Sequence, residues 1–449
     1  MSPTARHPRR DPLARAPDLA ATVVIVGGGF AGLACAQALG RAGVDVLLID
    51  RRNHNLFQPL LYQVATAAIS PADISEPIRR TLARYRSIRV IMAEATGVEA
   101  DARRLRLADG RAVIFDRLVL APGSGYDYFG HDDWRAHAPG LKSVHEARLI
   151  RQRLLVAYER AAQVEDGELR RALLTTVIVG GGPTGVEMAG AVAELGRFLT
   201  ARDFPMLYPD DLRVLLVEAG PRILAAFPED LATHAAEALH DDRVEIWTGT
   251  RVTEIGPDHI VAGGRHVQAG CIVWAAGVKA APVADWLGVT PGPGGRVAVD
   301  PDLSLPGRPE IYLLGDAALC MGADGRPLPA LAQVARQQGA HLGRGLARQL
   351  KTGAPLQAFR YRNRGDTAVI GRGQAIFDWG RRRLTGRLAW LLWAIVHVAL
   401  LVNFEKRALV SLQWAMRVAT GQRSARLIDE TGARSLPAST DDSETGADG

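Results

Sequence analysis

The sequence predicts an α/β chain of two parallel-sheet domains, the second inserted in the first, followed by a helical segment suited to a membrane surface. Three observations predict it. A β-branched strand runs directly into a glycine-rich turn and a helix between Thr22 and Ala42, the same pattern returns from Leu173, and a long apolar stretch lies between Leu388 and Phe404 with cations on both flanks.

Thr22 to Val26 suits a buried parallel strand, and Gly27-Gly28-Gly29-Phe30-Ala31-Gly32 follows with glycine at the first, third and sixth places. This is the spacing of a pyrophosphate turn. Gly27 permits the bend, Gly29 brings backbone close to the phosphates, and Gly32 lets the next helix lie close on the strand. That helix, from about Ala31 to Ala42, aims its unsatisfied N–H groups at the anion. Asp50 ends the second strand eighteen residues after Gly32, where a carboxylate accepts the hydroxyls of an adenosine ribose. Strand, turn, helix and carboxylate together predict a Rossmann-like dinucleotide-binding domain.

Leu56 to Thr66 is a mixed apolar segment without a clean period, of the kind that crosses a ligand or forms an ordered surface loop. Ile88 to Glu94 and Arg104 to Leu107 read as short strands of an inserted antiparallel layer. Arg117 to Ala121 returns to the parallel sheet, and Pro122-Gly123 ends it in a turn that either approaches a cofactor or simply leaves the sheet.

The pattern then repeats. Leu173 to Val179 is a second buried strand, Gly180-Gly181-Gly182-Pro183-Thr184-Gly185 repeats the glycine spacing, and Leu212 to Glu218 ends on a second carboxylate. Glu218 stands thirty-three residues after Gly185, beyond the usual ~20, with Arg197 to Asp211 read as an inserted loop. Ile272 to Gly277 echoes Leu118 to Gly123. Two such sites imply two dinucleotides. Ile311 to Asp316 and a helix from about Ala330 to Leu350 then complete the first domain, with Asp316 either a cofactor contact or a turn and cap residue.

The 449 residues, 47% of them hydrophobic, can build about three domains of roughly 150 residues. Cys35, Cys271 and Cys320 are far apart with no CxxC and no paired metal-ligand spacing, so a reducing compartment and no metal are expected, with Cys35 and Cys271 as buried hydrophobes. The net charge of +6 comes without a basic run interleaved with aromatics, which argues for an anionic membrane surface and against nucleic acid. Residues 1–20 have no apolar core and read as a disordered basic tail rather than a signal peptide.

Leu388 to Phe404 would span about 25 Å as a helix, short of a hydrocarbon core of ~30 Å. Arg381, Arg382, Arg383 and Arg387 precede it, Lys406 and Arg407 follow it, and Trp390 and Trp393 suit the headgroup boundary. Ala408, Leu412, Ala415 and Met416 share a face of a second, amphipathic stretch. A helix pair lying in one leaflet is expected, with a dimer interface, a core helix or a true span as alternatives.

Over about residues 21 to 428 the chain resembles the two-dinucleotide flavoprotein reductases and, within them, the type II NADH dehydrogenases, the non-pumping NADH:quinone oxidoreductases. The resemblance rests on GGGFAGL, on IDRRNHNLFQPLLYQVAT at Ile49 to Thr66, on GGGPTGVEMAG at Gly180 to Gly190, on YLLGDAA at Tyr312 to Ala318, on ALAQVARQQG at Ala330 to Gly339, and on the Trp-rich C-terminal segment. Asn363-Arg364-Gly365 departs from the Asp-Lys-Gly common in the family. The resemblance implies FAD at the first site, with Gly27, Gly29, Phe30, Ala31, Gly32, Asp50, Arg51, Ala95, Gly123, Asp316, Ala332 and Gln333. It implies NADH at the second, with Gly180, Gly182, Gly185, Glu187, Glu218 and Gly277. Asp316 would bond the flavin's ribityl chain, and Glu187 would face the nicotinamide or quinone, unless it is only a solvated first-turn carboxylate. Gln333 and Gln337, four apart on one helix face, either donate to a quinone carbonyl without placing charge in an apolar tunnel, or one or both merely cap or bridge neighbouring backbone.

The expected boundaries are residues 21–136 and 298–375 for the FAD domain, 137–297 for the NADH domain, 376–430 for the anchoring helices and 431–449 for a disordered acidic tail. The implied setting is the cytoplasmic face of the cell inner membrane, peripheral or monotopic, with a quinone as substrate and a homodimer left open. A sulfide:quinone oxidoreductase, which needs a reactive cysteine pair, and a slow redox-responsive FAD/NADH-binding protein are the alternatives.

Overall fold

The computed structural model describes residues 19–380, 382–400, 404–420 and 426–428. The acidic tail and nearly all of the basic tail lie outside these residues. Leu19 and Ala20, assigned to that tail from sequence, instead begin the first strand, where they pair with Val113 and Ile114.

In chain order the elements that matter are β1 (Leu19–Val26), α1 (Phe30–Arg41), β2 (Val46–Asp50), the short α2 (Leu61–Ala65), β3 (Ile88–Met92) and β4 (Ala112–Leu120). Then come α3 (Val144–Ala161), β5 (Thr175–Val179), α4 (Pro183–Arg202), β6 (Arg213–Val217), β7 (Val244–Trp247) and β8 (Cys271–Trp274). The chain continues through β9 (Arg308–Leu313), α5 (Ala332–Thr352), β10 (Asp366–Gly371), β11 (Gln374–Asp378), β12 (Arg383–Thr385), α6 (Gly386–Leu400) and α7 (Phe404–Thr420).

Two compact units emerge. Of the described residues, the first holds 19–55, 76–125 and 278–363; the second holds 56–75, 126–277 and those beyond 363. In the first, the strands run in the order β9-β4-β1-β2-β3, all parallel. Val23, Val24 and Ile25 of the central strand are fully buried, each contributing roughly 1.5–3 kcal/mol of transfer free energy. Ile88–Met92 therefore belongs to the parallel sheet and not, as expected, to the antiparallel layer, which is made by Ala95–Glu99, Arg104–Leu107 and the start of β4. Helix α5 lies against α1 so closely that a Cβ on Gly339 would fall 2.0 Å from the Ala31 carbonyl oxygen.

The second unit repeats the core of the first. Its parallel order is β7-β6-β5-β8, the counterpart of β3-β2-β1-β4. The segment expected as a loop from Arg197 to Asp211 begins as helix, because α4 continues to Arg202 with Leu199 and Thr200 buried. Strands β10, β11 and β12 form an antiparallel sheet in this unit. Its seat is Gly190 of α4, where a Cβ would lie 1.5 Å from the Ile370 carbonyl oxygen.

Helices α6 and α7 carry apolar residues on two faces. Ala389, Trp393 and His397 of α6 and Val410 and Trp414 of α7 are buried, while Leu388, Leu391, Ile395, Leu412 and Met416 are exposed. Among the described residues no helix is long and apolar enough to cross a membrane. Trp393, expected at a headgroup boundary, is instead 1% exposed. It packs between other aromatic rings of the second unit.

Candidate functional site

Two turns, one in each unit, are built alike to within a few tenths of an ångström. Gly27 and Gly180 have φ of +100° and +112°, a region costly for residues with a Cβ. The Gly27 N–H donates to Ile49 O at 2.7 Å, and the Gly180 N–H to Val217 O at 2.8 Å. A Cβ on Gly32 would lie 1.8 Å from Gly27 O, and one on Gly185 1.8 Å from Gly180 O, so each helix can approach its strand only through glycine. In contrast, a Cβ on Gly29 or Gly182 would meet nothing within 4 Å. These are the two places where the turn faces open space.

The carboxylates are held in the same way. Asp50 accepts from Gly28 N–H at 2.6 Å and Arg52 N–H at 2.7 Å; Glu218 accepts from Gly181 N–H and Gly220 N–H, both at 2.6 Å. Each is thereby fixed at the lip of its own turn. Helices α1 and α4 are capped by Gly29 and Gly182 without any side-chain bond, whereas α3 is closed by Ser143, whose hydroxyl accepts the Glu146 N–H. A helix whose first N–H groups are left open beside a glycine turn is an anion site. Both turns therefore fit a dinucleotide pyrophosphate.

In the first unit Asp316 accepts from the Ser124 hydroxyl at 2.6 Å, and the preceding Gly315 N–H donates to Gln338 Oε1 at 2.7 Å. Asn55 Nδ2 donates to Gly28 O at 3.0 Å, steadying the turn from behind. Ser124, Gln338 and Asn55 were not singled out from the sequence. Gln338 and Asn55 lie within quoted motifs, and Ser124 within none. Helix α5 begins at Ala332, with Gln333 in its first turn and no side-chain cap. Gly123 adopts φ +78°, Ala95 is buried in the antiparallel layer, and Arg51 is exposed. Gln337 does not point freely from α5, since its amide exchanges bonds with the Arg362 backbone, donating to Arg362 O at 2.9 Å and accepting from its N–H at 3.1 Å.

In the second unit, Gly277 has φ +67° and mirrors Gly123. Arg222, close to Glu218 in sequence, donates to Leu224 O, Ala225 O and Phe227 O at 2.9 to 3.1 Å. Its guanidinium is engaged with backbone rather than turned toward a nucleotide.

This unit also contains a small pocket, partly open to solvent. Tyr62, Gln63 and Thr66 form one wall, Glu187, Ala191 and Glu194 of α4 a second, and Trp390, Trp393 and Trp414 a third. Tyr62, Gln63 and Thr66 of the Leu56–Thr66 segment thus line this pocket while themselves buried. Glu187 is partly buried and accepts from Val369 N–H at 3.3 Å. Burial pushes its carboxyl up to about 8, so it carries its proton at neutral pH, and it is not a solvated first-turn carboxylate. An acid that is neutral at pH 7 can donate a hydrogen bond, and then a proton, to a carbonyl.

All three cysteines are buried and free. Burial raises the Cys35 and Cys271 thiols to about 12, so neither is a thiolate at neutral pH.

Residues 21–339 match the family Pyridine nucleotide-disulphide oxidoreductase. The chain is 35% identical to the type II NADH:quinone oxidoreductase Ndh of Mycobacterium tuberculosis over 444 residues, covering 96% of this chain and 93% of that one. It is 36% identical to NdhA of the same organism over 411 residues, covering 88% and 86%. Among solved structures, NDH2 from Plasmodium falciparum in complex with NADH superposes with a TM-score of 0.82 at 19% identity, over 90% of this chain and 99% of that one, a likeness of fold.

Proposed function

The chain belongs to the pyridine nucleotide-disulphide oxidoreductase family, and we propose that it acts there as a type II NADH:quinone oxidoreductase, passing electrons from NADH to a membrane quinone without pumping protons. The duplicated turn carries this reading: two anion-ready glycine turns, each with its own carboxylate, call for two dinucleotides in one chain. The first domain would hold FAD and the inserted second domain NADH. FAD, when bound, supplies the two-electron chemistry that joins a hydride donor to a quinone.

The chain's own residues supply binding, orientation and protons. Gly27, Gly29, Phe30, Ala31 and Gly32 would cradle the FAD pyrophosphate and Asp50 its ribose, with Arg51, Ala95, Gly123, Asp316, Ala332 and Gln333 along the rest. Ser124 and Gln338 hold Asp316 and its turn in place. The uncapped N-terminus of α5 favours negative charge near Ala332. Gly180, Gly182, Gly185, Glu218 and Gly277 would hold NADH. Glu187 is the proton donor to a quinone in the cavity, and the Gln337 amide is taken up by the Arg362 backbone. The buried, protonated thiols disfavour the cysteine chemistry of a sulfide:quinone oxidoreductase.

Multiple-turnover NADH oxidation with menadione as acceptor tests the activity. Sustained oxidation is expected, and a trace that stops after one flavin equivalent would favour the slow binding protein instead.

Glu218 accepts ribose hydroxyls but repels a 2′-phosphate, and Arg222 is not available to offset that repulsion. The specificity constant for NADH should exceed that for NADPH by about a hundredfold, like charges in contact costing several kcal/mol. Comparable constants in steady-state assays would remove Glu218 from the ribose site.

The exposed Leu388, Leu391, Leu412 and Met416 suit insertion into one leaflet of the inner membrane at its cytoplasmic face, with the flanking cations at the headgroups. Changing Leu388, Leu391 and Leu412 to Glu should lower cosedimentation with anionic vesicles by about tenfold or more. Unchanged cosedimentation would give that face to a second copy of the chain.

A further inference from the structure

Trp393 is 1% exposed and lines the cavity, yet its indole Nε1–H meets no acceptor among the described residues. Its neighbour Trp414 is the contrast: that indole N–H donates to Gln63 Oε1 at 3.0 Å. A buried donor without an acceptor costs free energy, and such groups persist where something outside the chain completes them.

Trp393 cannot readily turn to find a partner. It stacks on His397 at 4.5 Å between centroids and on Trp414 at 5.1 Å, with interplanar angles of 29° and 21°. His397 is itself tied down, its Nδ1 lying 2.9 Å from the Trp393 carbonyl oxygen. A carbonyl only accepts, so Nδ1 carries a proton, and burial pulls the ring's pKa down to about 4, so the imidazole is neutral. The ring stack has no charge to attract an anion, and the indole nitrogen can only donate. Glu194 and Arg372 offset one another in the pocket lining, and the three tryptophans beside them suit an acceptor carried on a flat, largely apolar body.

We propose that the Trp393 indole N–H donates a hydrogen bond to a carbonyl oxygen of the quinone, making Trp393 a quinone-binding residue held in orientation by His397 and Trp414. The proposal rests on the cavity being the quinone site. It adds a second donor of different chemistry beside Glu187. Glu187 offers a proton that can be transferred, whereas the indole N–H keeps its proton and only orients the ring.

The test uses the full-length, FAD-loaded protein with 15N-labelled tryptophan. Its eight tryptophans give eight indole N–H resonances. Titration with menadione should move one of them downfield, and that resonance should be the one missing from Trp393→Phe, or from Trp393→Tyr if the first variant does not retain FAD. In steady state Trp393→Phe should raise the KM for menadione about tenfold, the loss of one hydrogen bond, with a smaller change in kcat. If none of the eight resonances moves at saturating menadione, or the one that moves is not Trp393, the proposal is overturned. Ala191→Phe, which fills the cavity from α4, separates the two claims. A raised menadione KM in that variant with an unmoved Trp393 resonance rejects the role of Trp393 alone, and an unchanged KM rejects the cavity as the quinone site and the proposal with it.

Discussion

Gly185→Ala lowers kcat/KM for NADH by about a hundredfold or more in protein that still carries FAD, whereas Gly32→Ala yields protein that purifies without FAD. In each variant the new Cβ would sit 1.8 Å from a carbonyl oxygen of its own turn, Gly180 O or Gly27 O. Normal contact requires the helix to retreat from the strand by more than an ångström. A displacement of about 1 Å at a positioning element costs on the order of 10²-fold, and it also pulls the helix N-terminus away from the pyrophosphate. The two turns lie in different units, so the losses should separate: flavin content, read from absorbance, in one variant and the NADH specificity constant in the other. Loss of FAD in Gly185→Ala with retention in Gly32→Ala would reverse the assignment of the two sites.

Glu187→Gln should slow quinone reduction by about 10²- to 10⁴-fold, the usual range for a positioned general acid. Its pH profile is the sharper measure. Burial raises the Glu187 carboxyl to about 8, so the proton is held below that pH and lost above it. Wild-type menadione reduction should therefore fall as pH rises through about 8, and the profile of Glu187→Gln, with nothing to ionise there, should be flat. Ferricyanide accepts electrons without protons, so its reduction should respond far less to the substitution. A wild-type decline that persists unchanged in Glu187→Gln would assign that titration to another group.

The glycine turns were legible because their constraint is local: a positive φ at Gly27 and Gly180 and a helix pressed on its strand at Gly32 and Gly185 admit one residue type. Asp50 and Glu218 were legible for a related reason, each ending the strand beside its turn. Glu218 stayed in place despite the long separation, because the extra residues extend α4 and loop away without touching the register of β5 and β6. Partners set by tertiary packing were not legible. Ser124, 192 residues from Asp316, has no signature of its own, and Asn55, although inside the Ile49–Thr66 motif, gives no sign of bonding Gly28, 27 residues away. Nothing in residues 364–378 marks that they join the second unit, since their seat is the missing side chain of Gly190 on another element. Trp393 misled for a physical reason: an indole near cations reads as a membrane-interface residue, and only the stack with His397 and Trp414 turns it inward.

The central claim is that one bound FAD serves two substrates in turn, NADH and then a quinone. It is tested most directly by the absorbance of the purified protein under anaerobic conditions. The account predicts a two-banded flavin spectrum that bleaches with one equivalent of NADH and returns in full when one equivalent of menadione is added. A flavin spectrum that NADH leaves unbleached, or that stays bleached after menadione, would contradict it.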